Sequence, residues 1–238
     1  MIIRSYPLTK HMQSLEPNYR ALVIGASGTI GSAFVRALTS DPQCASVTEL
    51  SRRTTPGFSL EDEASIASAA AKLNDAGPFA LIIDATGALT IDGVGPEKQI
   101  GALSSATLTR SFQVNTIGPS LLLKHFLPLL SKDRAIYAKL SARVGSISDN
   151  QKGGWYGYRA SKAAFNMMLQ TAGIEFARKN KQAVLVALQP GTVASPLSKP
   201  FASASHTVSA DESVAGLLGH MDLLQPMSGA HFIDYGGK

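Results

Sequence analysis

The sequence predicts an α/β fold of the doubly wound kind, a parallel sheet with helices on both faces. Three observations predict it. Short apolar, β-rich runs alternate with helical stretches of ten or more residues, the pattern of repeated βαβ units. A glycine-rich turn closes the first of those runs. The chain has 238 residues with 45% hydrophobic content, enough for one well-filled core. With no internal repeat and no long linker, a single domain is expected over residues 19–238.

The elements follow in order. Ala21-Leu22-Val23-Ile24 is uninterruptedly apolar and stops at Gly25, as a buried parallel strand does before a tight turn. A helix is expected over about 32–38, ended by Asp41-Pro42. A strand at 46–50 and a helix over about 62–73 come next, then the apolar strand 79–83, which leads into Asp84-Ala85-Thr86-Gly87. A long helix should run from near Ser105 through Gly118. The apolar segment beyond it, up to Leu130, contains Pro119 and Pro128, which should kink or divide it.

Residues 136–140 suit a strand, and 158–178 a helix with Phe165, Met168, Leu169, Ala172 and Phe176 on its core face. The β-rich run 184–188 stops at Pro190-Gly191. Ser209-Ala210-Asp211-Glu212 has capping-box spacing and opens a helix towards Leu224, and 230–235 suits a last strand. The loop 197–208, rich in Ser, Ala and Pro, is either a mobile flap or an ordinary surface connection.

Composition narrows the function classes. The formal charge of +5 is modest, and no run of Lys or Arg interleaved with aromatics suggests a nucleic-acid groove. The single cysteine, Cys44, excludes an internal disulfide and fits a reducing compartment. The apolar runs are too short to span a bilayer, so no membrane partner is expected. Residues 1–18 contain Arg4, Pro7, Lys10, His11 and Pro17, with no apolar core of a secretory signal. They suit a loose N-terminal extension, and the cytoplasm is the default location. The five histidines are dispersed without ligand spacing, so no metal site is expected.

Two motifs carry chemistry. Gly25-Ala26-Ser27-Gly28-Thr29-Ile30-Gly31 joins the first strand to the first helix. Glycine there permits a sharp turn and lets a pyrophosphate approach the backbone, while the helix N-terminus offers unpaired N–H groups. A tight turn without a ligand is the plainer alternative. In this position the turn is the fingerprint of a Rossmann-type dinucleotide site. About twenty residues on, an NAD site usually presents an acid to the ribose 2′-hydroxyl. Here the second strand ends Ser51-Arg52-Arg53, and two guanidinium groups suit a 2′-phosphate, which predicts NADP(H).

The second motif is Tyr158-Arg159-Ala160-Ser161-Lys162. Four residues apart on a helix, Tyr158 and Lys162 share a face. A cation there should pull the phenol below its usual pKa of about 10, so that it exchanges a proton with a carbonyl oxygen or an alcohol near neutral pH. Tyr156 has Ala160 where the lysine would be needed.

With both motifs in place, the chain resembles the short-chain dehydrogenase/reductase family from about Arg20 onward, nearest to its C-factor and sniffer-type carbonyl reductase branch. Ser141-Ala142-Arg143-Val144-Gly145-Ser146-Ile147, Asp149-Asn150 and Gly153-Gly154-Trp155-Tyr156 carry the likeness to that branch. The resemblance implies reduction of an aldehyde or ketone by hydride transfer from NADP(H), with a small carbonyl or alcohol as partner and the substrate site in the C-terminal half. Tyr158 would be the general acid/base, Lys162 would hold the nicotinamide ribose, and Asn115 would support the lysine.

Pro190, Gly191 and Val193 match the segment beside the nicotinamide carboxamide, with Ser195 in the place of a frequent threonine. Ala85, Thr86 and Gly87 stand in the family's Asn-Asn-Ala-Gly segment. The glycine spacing departs from the commoner family form, and Ser59 falls near the usual adenine-contacting aspartate. Aligned on Gly145, the usual catalytic serine is Ala142. Ser141 is the candidate that takes its place, and Ser146 in the next loop is the alternative. The family's usual pairing, through helices around Leu121 and Phe165, implies a homodimer or homotetramer, although apolar residues there equally suit a monomer's core. A second function is implied as well: an NADP(H)-binding regulatory or signalling protein of C-factor type, with little turnover.

Overall fold

The computed structural model describes residues 12–195 and 207–238. Six strands form one parallel sheet in the order β2-β1-β3-β4-β5-β6. They are β1 (Tyr19–Ile24), β2 (Cys44–Leu50), β3 (Leu81–Asp84), β4 (Ala135–Leu140), β5 (Ala183–Gln189) and β6 (His231–Asp234). The helices are α1 (Thr29–Thr39), α2 (Glu63–Lys72), α3 (Ser105–Phe112), α4 (Gly118–Phe126), α5 (Tyr156–Phe176) and α6 (Ala210–Asp222). This is the doubly wound Rossmann-like architecture in a single domain. β1 pairs with β2 on one side and β3 on the other, so strand order reverses there and opens a crevice at the carboxyl ends.

Each inner strand alternates sides. Ala21 and Val23, Leu81 and Ile83, Ile136 and Ala138, and Val184 and Val186 join Phe34 of α1 and Leu217 of α6 in one apolar cluster. Leu22 and Ile24, Ile82, Tyr137 and Leu185 join Ile66 of α2, Leu122 of α4 and Phe165 of α5 in the other. Both faces are dry, which is why the inner strands read as apolar runs.

Three expectations need correction. The expected loose extension does not include residues 12–18. Met12 and Leu15 are 1% and 3% exposed and belong to the α1/α6 cluster. Backbone N–H groups of Met12, Gln13 and Ser14 donate to the carboxylates of Asp41 and Asp222. Two apolar side chains three apart suffice to dock this stretch, and no longer apolar run is needed. Met168, expected in the core, is 47% exposed, because Phe165 and Leu169 already fill the buried stripe of α5.

The helix expected through Gly118 ends at Phe112, where a π turn, Gln113–Ile117, leads into α4. Pro119 cannot donate to the carbonyl four residues back, and the register shifts so that the Gly118 N–H reaches the Gln113 carbonyl. Gly118 also packs against Leu60, whose carbonyl oxygen would lie 2.6 Å from an added Cβ. The π turn buries Asn115 completely. The loop 197–208 lies outside the described residues except at its end, where Val208 bridges Val193.

Candidate functional site

The crevice begins at the turn after β1. Gly25 has φ +81°, and an added Cβ would lie 3.0 Å from the Ala85 carbonyl carbon. At Gly31 an added Cβ would stand 2.2 Å from the Gly25 oxygen, so this residue lets α1 lie flush against the turn. Gly28 caps α1 with no side-chain acceptor, and the first turn carries no acid. The leading N–H groups of α1 are therefore left for an anion, with the helix dipole behind them. A pyrophosphate fits this cradle.

Two continuous cavities follow the sheet edge. The larger, about 580 Å³, runs from Ser27, Gly28, Thr29, Ile30 and Gly31 past Ala85, Thr86 and Gly87 to Ser141, Tyr158 and Lys162. Its far wall includes Pro190, Gly191, Val193 and Ser195. The other, about 430 Å³, shares Ser27, Gly28 and the segment 85–88, and continues past Gly25 to Ser51, Arg52, Ser59 and Glu61. Ser27–Gly28 thus sits at the junction of two compartments, one bordered by a guanidinium and the other by a phenol. Arg52 borders the first, whereas Arg53 borders neither cavity.

The phenol is held by a strained entry to α5. Trp155 adopts the left-handed region, φ 56°, ψ 41°, and stands edge-on to Tyr158 with ring centroids 6.3 Å apart. Glu97 secures this entry: its carbonyl accepts the Trp155 N–H, and its carboxylate accepts the Gly157 N–H at 3.0 Å. Arg159 donates to the carbonyls of Gly153 and Gly154. Tyr156, by contrast, is exposed and lines neither cavity.

One turn along α5, Lys162 is 4% exposed. Its Nζ lies 5.7 Å from the Tyr158 ring centre and 3.3 Å from the Leu140 carbonyl oxygen, to which it donates. Asn115 clamps Ala88 from both sides, accepting its N–H at 3.0 Å and donating to its carbonyl at 2.9 Å. Gly87 sits between the two, and an added Cβ would lie 3.1 Å from both Asn115 Oδ1 and Lys162 Nζ.

The electrostatics differ from expectation. Burial pushes the Tyr158 phenol up to about 12 and does not leave it below its ordinary value. Burial, then repulsion from Lys139, bring Lys162 down to about 7, against a smaller pull upward from Asp84. The lysine's charge is therefore only partly present near neutral pH, and desolvation of the phenolate is what sets the shift of the phenol.

Ser141 and Ser146 separate cleanly. Ser141 lines the larger cavity and its hydroxyl donates to Asn166 Oδ1 at 2.6 Å. Ser146 lines neither cavity and pairs with Ser148. Sequence reasoning missed Lys139, a fully buried lysine whose Nζ lies 3.1 Å from Asp84 Oδ1. The available signal was a lone cation inside the apolar run Ala135–Leu140. It also missed Arg110, which borders the smaller cavity and pairs with Glu61 and Asp92. Among the described residues no helix is long and apolar enough to cross a membrane, and no cluster of three or more His, Cys, Asp or Glu could hold a metal.

Residues 53–205 match the family profile described as short chain dehydrogenase. The chain is 31% identical over 181 residues to 1-hydroxy-2-glutathionyl-2-methyl-3-butene dehydrogenase of Rhodococcus sp. (strain AD45), a match covering 74% of this chain and 75% of that protein. It is 34% identical over 140 residues to C-signal of Myxococcus xanthus, covering 58% and 80%. Among solved structures, NADPH-bound carbonyl reductase from chicken fatty liver superposes with a TM-score of 0.81 at 25% identity, over 98% of this chain and 97% of that one. Carbonyl reductase Sniffer of D. melanogaster shares the fold with a TM-score of 0.78 at 20% identity, over 94% and 98%.

Proposed function

The chain belongs to the short-chain dehydrogenase family, and from that premise we propose that it is an NADP(H)-dependent oxidoreductase that reduces an aldehyde or ketone to an alcohol. One observation carries the reading: a single cleft joins the anion cradle of α1 to Tyr158 and Lys162. Bound NADPH supplies the hydride. The residues of the chain do the rest.

The turn Gly25–Gly31 and the first N–H groups of α1 take the pyrophosphate, and Arg52 takes the 2′-phosphate. Lys162 holds the nicotinamide ribose, and Asn115, buried and lining neither cavity, acts behind it by fixing Ala88. Ala85, Thr86 and Gly87 lie beneath the ribose, with Pro190, Gly191, Val193 and Ser195 opposite. Tyr158, protonated near neutral pH, gives its proton to the carbonyl oxygen as that oxygen gains charge. Ser141 supplies a second hydrogen bond to the oxygen when its hydroxyl turns from Asn166. The likeness to C-signal favours a second reading, an NADP(H)-binding regulator with little turnover.

NADPH oxidation with a panel of small aldehydes and ketones separates the two. Turnover that falls about 10²–10⁴-fold in Tyr158→Phe, with NADPH affinity retained, supports the reductase. Tight NADPH binding with no turnover across the panel supports the regulator. Undiminished activity in Tyr158→Phe removes the proposed acid.

A further inference from the structure

Resting on the reductase reading, we propose that the buried pair Asp84–Lys139 is a positioning device of the active site: it anchors the loop beneath the nicotinamide and sets a second cation behind Lys162. The parallel register of β3 and β4 places Asp84 directly opposite Lys139. Both are 0% exposed. Lys139 Nζ donates to Asp84 Oδ1 at 3.1 Å, to the Thr86 carbonyl at 2.5 Å and to Thr86 Oγ1 at 3.1 Å. Asp84 Oδ1 also accepts the Thr86 N–H at 2.9 Å and its hydroxyl at 2.6 Å. The loop is thus held from below by the ion pair and from above by the clamp of Asn115 on Ala88.

A buried ion pair generally stabilises no better than apolar residues of like volume. The pair instead bears on Lys162. Both ammonium groups reach the segment Thr86–Gly87: Lys139 Nζ donates to the Thr86 carbonyl, and Lys162 Nζ lies 3.1 Å from where a Cβ on Gly87 would stand. Lys139 from β4 repels the Lys162 ammonium and Asp84 from β3 attracts it, while burial lowers the proton affinity of Lys139 itself and Asp84 acts to restore it. Tyr158 on its own helix is neutral near pH 7. Tyr137 of β4 is kept neutral by burial, and Asn115 from the π turn carries no charge. Of the two charged neighbours Lys139 acts the more strongly, so the pair together lowers the affinity of Lys162 for its proton. A lysine poised in this way takes up or releases a proton when charge changes at Tyr158, which a permanently charged one does less readily.

The test is an NMR titration of protein labelled with ¹³C at lysine Cε, following Lys162 in the parent, Asp84→Asn, Lys139→Met and the double variant. The Lys162 signal is assigned by its loss in Lys162→Met. Lys139→Met should move the Lys162 midpoint up by about one pH unit and Asp84→Asn should move it down, as the opposite signs of the two charges require. The double variant, which buries no uncompensated charge, should fall between the parent and Lys139→Met. If neither single variant folds, the double alone decides: an upward shift supports the proposal, and no shift or a downward one overturns it.

Equal shifts of one sign in both single variants also overturn it, since loss of packing has no charge sign. The basic limb of kcat against pH, measured with 4-nitrobenzaldehyde and NADPH, should move in the same order. If no carbonyl is turned over while the NMR order holds, the reductase reading fails and the electrostatic coupling stands.

Discussion

Replacing Lys162 with methionine should make the protein more stable, by an amount that depends on pH, while disabling the site. In the folded protein this lysine is 4% exposed, and its value drops from 10.5 to about 7. The gap of about 3.5 units, at about 1.36 kcal/mol per unit, sets a ceiling near 5 kcal/mol on what the fold gives up to house it. The folded value lies below the unfolded one, so between about 7 and 10.5 the unfolded chain binds more protons. Stability attributable to this group therefore climbs with pH through that window, and the full penalty applies below about 7.

Methionine keeps the aliphatic stem but drops the hydrogen bond to the Leu140 carbonyl, worth about 1 kcal/mol. Relaxation around a protonated Lys162 takes more from the ceiling. The net gain should be about 2 kcal/mol at pH 6, or about 4–8 °C in Tm for a chain of this size, and should fall with pH until above about pH 10 the lost hydrogen bond leaves the variant about 1 kcal/mol less stable than the parent. Thermal unfolding followed by circular dichroism at pH 6, 8 and 10 measures it. A variant less stable than the parent at pH 6, or offset equally at all three pH values, would refute the burial argument.

Two further outcomes follow from the same geometry. Arg52→Ala, which would remove the proposed charge-assisted bond to the 2′-phosphate, should weaken NADPH binding about 10–100-fold in a fluorescence titration, leaving NADH nearly unchanged. Arg53→Ala, outside both cavities, should change either affinity less than about threefold, and a matched loss for the two cofactors would contradict the assignment. Leu15→Ala should cost about 2–4 kcal/mol in urea unfolding, because Leu15 is 3% exposed in the α1/α6 cluster. A change within about 0.5 kcal/mol would mean that residues 12–18 do not dock.

What the sequence made legible was local. Apolar runs give β1, β3, β4 and β5 because both sheet faces are dry, and the spacing of four brings Tyr158 and Lys162 together on α5. What it hid depends on register and distance. Asp84 and Lys139 are 55 residues apart and meet only because β3 and β4 pair as they do. The hydroxyl of Ser141 finds Asn166 across the gap between β4 and α5, which no spacing rule announces. Arg52 and Arg53 look alike in the chain, yet only one borders a cavity, because the turn that follows β2, closed by the Thr55 N–H on the Ser51 carbonyl, sets their directions and no spacing rule does. Desolvation was the least visible influence, and it reverses the expected shift of Tyr158.

That reversal bears on the direction of reaction. A phenol at about 12 beside a lysine at about 7 stores its exchangeable proton on oxygen throughout the neutral range. Such a pair is prepared to donate, which is the step a carbonyl needs as it accepts a hydride. Running the reaction from alcohol to carbonyl would require the phenolate first, and each pH unit below about 12 makes that form tenfold scarcer. The left-handed Trp155, the buried Asp84–Lys139 pair and the desolvated Lys162 all stand at the carboxyl edge of the sheet, where two apolar clusters beneath them hold the backbone in place. The same burial that makes Lys162 costly to house keeps the phenol protonated, which is the state the proposed reduction uses.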